Sequence, residues 1–279
     1  MKRIVALVML LFCGTIVWAA PSAESARRFE EEQRRAQAAV EPLVQPAVES
    51  LSGSEIHSLT PVSLEVGAYD PAEGYTYCYS QDFLVLLYRK EGSWKNAGTD
   101  HVQMIIPVKM KNDKAGELVF TEKEGAFHFS GMNYDKEFNL ISGFSQIRED
   151  LKKATDRLPE VSSVQMLYSL LHRSFYVLLD AGEKEYVIPY TGYEKELGIT
   201  SGEVIELGEL VRKLDAVFDE EAVLKAAEKG EKQWGGSPLR DNTTPAAGSG
   251  TWLLAAGLGG GALLGAALIL LPRLKRKHS

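Results

Sequence analysis

Residues 174–190 read SFYVLLDAGEKEYVIPY. Two short apolar runs, 174–180 and 185–190, flank Ala181, Gly182 and Glu183. A break that short only lets the chain turn back on itself, so the stretch predicts an antiparallel hairpin. The same pattern runs upstream. Residues 62–68, 75–79, 83–89, 102–110, 116–121 and 126–130 are rich in Val, Ile, Tyr and Phe and bounded by turn pairs such as Asp-Pro and Asn-Asp. They read as strands, joined by hairpins because the gaps are too short for a crossover helix. Residues 161–171 fit strand or helix equally well.

Helical spacing appears twice in this region. In 143–158, Phe144, Ile147, Leu151, Ala154 and Leu158 share one face, Ser142 is placed to cap the start, and Pro159 ends the run. From about 207, Leu207, Leu210, Val211, Leu214 and Phe218 form a second stripe, and Asp219 is placed to cap a continuation to Lys229. Strands, helix, strands, helix is the order of an α+β domain, so the expectation for 55–230 is an antiparallel sheet with two packed helices.

The amino-terminal flank has the layout of an export signal. Lys2 and Arg3 precede an apolar run over 4–18, then Ala19, Ala20 and Pro21, which predicts a signal peptide over 1–19 with cleavage after Ala19. Cys13 suggests lipoprotein processing, but Phe12 before it is too large for that pocket. An uncleaved anchor would give the same topology. Residues 24–54 divide into a polar helix over 25–40 and a linker in which Pro42 and Pro46 interrupt helical pairing. The apolar content of that helix, Phe29, Ala36, Ala39 and Val40, is thin for core packing and suggests a solvated or spacer helix.

At the other end, 231–251 is rich in Gly, Pro, Ser and Thr and reads as a flexible tether, with Asn242-Thr243-Thr244 as a glycosylation pattern inside it. Residues 252–271 then read WLLAAGLGGGALLGAALILL. About 20 uncharged residues at ~1.5 Å rise match a ~30 Å hydrocarbon core, so this is the expected transmembrane helix. The basic tail over 272–279 would stay cytoplasmic and place the bulk of the chain outside. Gly257, Gly261 and Gly265 recur every four residues, a bare face suited to a second membrane helix or to another copy of the chain.

Chemistry is sparse by comparison. The net charge of −7, with the basic tail included, argues against nucleic acid as a partner. None of the five histidines has a zinc-type neighbour, so no metal site or cofactor is indicated, and no catalytic motif is found. Asp100 and His101 are adjacent, but neighbours on a strand point to opposite faces. Cys78 reads as a nucleophile or, more simply, as a small buried hydrophobe. Tyr75, Tyr77 and Tyr79 share one strand face by the two-residue period and are candidates for ligand stacking or for core. The functional expectation is a single-pass, membrane-anchored extracytoplasmic module that binds a partner or an envelope ligand. The alternative is a tethered enzyme acting on envelope polymers.

Overall fold

The structure is a computed structural model that describes residues 21–51, 55–56, 62–63, 65–81, 83–112, 114–133 and 140–229. The expected signal peptide, the tether over 231–251, the apolar stretch over 252–271 with Gly257, Gly261 and Gly265, and the basic tail lie outside the described residues.

A long helix, α1 (Pro21–Leu51), leads into strands β1 (Glu55–Ile56), β2 (Val62–Ser63), β3 (Val66–Tyr69) and β4 (Tyr75–Ser80). Helix α2 (Leu84–Glu91) precedes β5 (Gly98–Met110), β6 (Ala115–Lys123), β7 (Ala126–Asn133) and α3 (Phe144–Thr155). The chain continues through β8 (Val161–Ser169), β9 (Ser174–Ala181), β10 (Lys184–Thr191), α4 (Glu194–Leu197), β11 (Ile205–Glu206), α5 (Leu207–Val217) and α6 (Glu220–Glu228). Nine of these strands form one sheet in the order β11-β10-β9-β8-β4-β5-β6-β7, with β3 paired to β5 beside β4.

This architecture corrects the expected class. Among the described residues the fold is α/β, with a large mixed sheet and six helices, and not an antiparallel sheet with two helices. Two antiparallel meanders, β4 to β7 and β8 to β11, meet through their first strands, which run parallel with Cys78 opposite Leu167 and Tyr79 opposite Tyr168. Hairpin reasoning links neighbours in sequence and so misses a contact between strands separated by most of a meander and two helices. Among the described residues no helix is long and apolar enough to cross a membrane.

Two segments expected to be irregular or extended are helical. Residues 83–89 contribute to α2, where Leu84, Val85 and Leu87 are buried and Gly92 closes the end in the left-handed region. Helix α1 runs through Pro42 and Pro46 to Leu51. Both prolines are exposed, so the carbonyls of Ala38 and Pro42 that lose an N–H partner can turn to water. The helix is not a solvated spacer, because Phe29, Gln33, Val40, Val44 and Ala47 are buried.

Prolines inside strands sit where the ladder can spare a donor. Pro107 of β5 lies between the stretch that pairs with β4, ending at Ile105, and the stretch that pairs with β3, beginning at Val108. Pro189 of β10 lies beyond the two residues that pair with β11.

Packing divides into three clusters. One sheet face carries Tyr75, Tyr77, Tyr168, Val177 and Ile188 against Phe144, Ile147 and Leu151 of α3, and Phe29 of α1 joins them. On the opposite face, the second meander buries Leu167, Tyr176 and Val187 under α2 and α5. The first meander there buries Met104, Ile106, Leu118 and Phe120 under Val40, Val44 and Ala47 of α1. Helix α1 therefore touches one face near its start and the other near its end, crossing at the seam between the meanders.

Candidate functional site

The seam explains the site. Beyond Cys78 and Tyr79 the ladder between β4 and β8 stops, and α1 supplies what the lost strand pairing would have supplied. The Gln33 amide takes the place of a backbone unit: Thr76 N–H donates to its Oε1 at 2.6 Å and its Nε2 donates to Thr76 O at 3.4 Å. Gln37 Nε2 donates to the Ala72 and Gly74 carbonyls at 2.8 and 2.7 Å, and Ser25 Oγ donates to Val161 O on the β8 side. Two glutamines and a serine on one helix thus take up backbone groups of the strands and of the turn before β4.

Between this helix and the sheet lies a groove of about 730 Å³, within the size range of small-molecule sites. Its walls include Phe29, Ala39, Leu43, Phe127 and Val164, and Cys78 and Gln165 border it. The Cys78 thiol is half-buried and donates to Met166 O at 3.5 Å, while Gln165 Nε2 donates to the sulfur at 3.5 Å. Burial pushes the thiol pKa up, against the smaller opposing effect of Gln165. That leaves a protonated group and not an activated nucleophile. Gly98 packs close beside it: a Cβ there would stand 2.4 Å from Gln165 Nε2 and 2.9 Å from the sulfur, so those side chains would have to shift. Across the floor, the Glu124-Gly125 turn between β6 and β7 has both residues at positive φ, 53° and 81°, the signature of a tight two-residue hairpin.

The candidate tyrosines divide. Tyr75 and Tyr77 are buried among the core aromatics, with Tyr77 5.1 Å from Phe175 and 5.6 Å from Tyr168 between ring centroids. Tyr79 is partly buried and lies 5.1 Å from the His101 ring. The Tyr77 and Tyr79 hydroxyls donate to Gln103 Oε1 at 2.6 and 3.1 Å, Gln103 Nε2 donates to Thr121 Oγ1 at 3.2 Å, and Ser130 Oγ donates to the same oxygen at 2.6 Å. This row crosses four strands. Asp100 and His101 are exposed neighbours on β5, and burial of the ring, then Lys123, lowers the His101 pKa.

Two buried polar groups carry no signal in sequence. Glu117 of β6 is 2% exposed; Asn133 Nδ2 donates to its Oε2 at 3.2 Å, and Oε1 has no hydrogen-bond partner. Burial pushes its pKa up to about 7. The Tyr75 hydroxyl is also buried without a hydrogen-bond partner among the described residues. His172 and Glu220 form the second group. Glu220 accepts from Val85 N and Leu86 N at 3.0 Å each, capping α2, and its Oε1 lies 3.0 Å from His172 Nε2. The two atoms are close, but Nε2 makes no aligned hydrogen bond. With Tyr176 Oη 3.2 Å from Nδ1, the imidazole is enclosed on both sides. Its place between α6 and the start of α2 is architectural.

Among the described residues no group of three or more His, Cys, Asp or Glu is placed to hold a metal ion. The groove is the candidate: a cleft lined by apolar side chains, a protonated thiol and the charged residues Glu32, Arg35 and Glu122. Comparison of the chain with protein-family models, with curated proteins and with solved structures gave no match.

Proposed function

We propose that the chain is a membrane-anchored extracytoplasmic binding module that takes its ligand in the groove between α1 and the sheet. The groove carries this reading: it is large enough for a small molecule, lined in larger part by apolar side chains, and bordered by Cys78, whose raised pKa suits a wall better than a nucleophile. Anchoring is supported by the uncharged residues 252–271 and the cationic tail after them. Gly257, Gly261 and Gly265 support pairing of that segment with another membrane helix or a second copy.

The anchor is tested on cells expressing the full chain and a version ending at Gly230. The full chain should stay in the pellet after alkaline carbonate and be cut by protease added to intact cells, and the shortened one should leave the pellet. A full chain in the supernatant, or one spared by protease, removes the anchor.

A further inference from the structure

We propose that the groove holds the hydrocarbon tail of a single-chain zwitterionic phospholipid, with its ammonium toward Glu32 and Glu122 and its phosphate toward Arg35. This rests on the reading of the groove as the ligand site and adds what the ligand is.

The interior selects hydrocarbon. Both ends of the Gln33 amide are spent on the Thr76 backbone, and Gln165 Nε2 is spent on the Cys78 sulfur. A hydroxylated or amide-rich ligand would have to break those bonds to be satisfied, whereas a polymethylene chain needs none of them. Phe29, Ala39, Leu43 and Phe127 offer it apolar contact. At about 730 Å³ the groove is within the size range of small-molecule sites.

The charged lining selects the headgroup. Glu32 and Arg35, about one turn apart on α1, and Glu122 of β6 are the charged residues that line the groove. Two carboxylates and one guanidinium match a headgroup with one ammonium and one phosphate, the latter suited to the forked donors of arginine. An anionic headgroup without the ammonium would leave both carboxylates facing a like charge. A membrane anchor would keep such lipids close to the groove.

Cys78 supplies the readout. The full-length chain, in a non-ionic sugar detergent, is alkylated with iodoacetamide, and the rate is followed by mass on the peptide containing Cys78. Saturating lysophosphatidylethanolamine should slow the reaction at least about tenfold, the factor expected when ligand exceeds its Kd by about nine. Lysophosphatidylglycerol with the same tail should protect less, and glycerophosphoethanolamine, which has no tail, should not protect. Ala39→Trp, at an exposed α1 position lining the groove, should slow alkylation without lipid and remove the lipid effect. Glu32→Gln combined with Glu122→Gln should bring the two lysolipids level.

No protection by lysophosphatidylethanolamine, or equal protection by the two lysolipids on the unaltered chain, overturns the proposal. The assay does not depend on anchoring. A chain released by carbonate but protected by lysolipid loses the anchor and keeps the site, and the reverse result loses the site and keeps the anchor.

Discussion

At the scale of single residues, Glu117 is the group whose energetics are easiest to isolate. Its carboxyl is buried with one oxygen unpaired, and desolvation, opposed by Asn133, raises the pKa from 4.5 to about 7. A carboxyl whose folded pKa lies above its unfolded value binds a proton on folding. Its favourable contribution is therefore complete below pH 4.5 and is lost as pH rises to about 7. Glu117→Gln keeps the shape and removes the titration. The variant should match the parent at pH 4 and be more stable at pH 8, by up to roughly 3 kcal/mol from a shift of this size. Urea unfolding at the two pH values measures it, and equal differences at both would place the titration elsewhere. Tyr77 answers a different question. Tyr77→Phe loses the bond to Gln103 and should cost roughly 0.5–1.5 kcal/mol, whereas Tyr77→Ala empties a packed aromatic site and should cost roughly 3–5 kcal/mol. A folded Tyr77→Ala protein of unchanged melting temperature would mean that the ring belongs to a ligand surface and not to the core.

At the scale of elements, helices are held by side chains that come from far away in sequence. Glu220 on α6 accepts the first free N–H groups of α2 and sits against His172. Glu220→Ala would strand both amides in a buried site, at a cost of roughly 1–3 kcal/mol each. Glu220→Gln keeps one acceptor oxygen and should lose distinctly less; denaturant midpoints separate the two. On α1, Gln33→Leu preserves bulk but leaves the N–H and C=O of Thr76 without partners, at a cost of roughly 1–3 kcal/mol. Hydrogen exchange at the Thr76 amide should speed up in that variant while β9 and β10 are unchanged.

Such tertiary satisfaction explains which elements could be read from sequence. The hairpin over 174–190, the helix at 144–155, the helix from Leu207 and the Asp219 cap, seen as Ala222 N donating to Asp219 Oδ1 at 3.0 Å, depend on residues a few positions apart. Helix α2 was hidden because a short aliphatic run suits a buried strand as well as a helix, and its N-terminal partner lies 135 positions away. Helix α1 was hidden by two prolines whose cost falls on the exposed side. Of the candidate site, Cys78 and the tyrosine period were legible. The groove was not, because its walls come from α1, β4, β5, β6, β7 and β8, and nothing local to any of them marks a cavity.

At the scale of the whole molecule, the question is how two meanders become one body. Within each, long antiparallel ladders join the strands, as between β5 and β6 or between β8 and β9. Between them the ladder has only the positions Cys78–Leu167 and Tyr79–Tyr168. The rest of the seam is closed by side chains: the aromatic cluster of Tyr77, Tyr168 and Phe175 on one face, and α1 along the gap. Elements held by few backbone bonds open at lower free energy than those inside a ladder, without global unfolding. Amides of β4 facing β8 should therefore exchange faster than those of β6 or β9, although Tyr75 and Tyr77 are among the buried residues. Gln33→Leu should widen that gap, since it loosens the helix that spans the seam, and a ligand filling the groove should narrow it by tying α1 to the sheet. Native-state hydrogen exchange on the full chain, with and without Gln33→Leu, decides the matter. Uniform protection across β4, β6 and β9, unchanged by the substitution, would show that the two meanders open only together and that α1 rests on a sheet already closed without it.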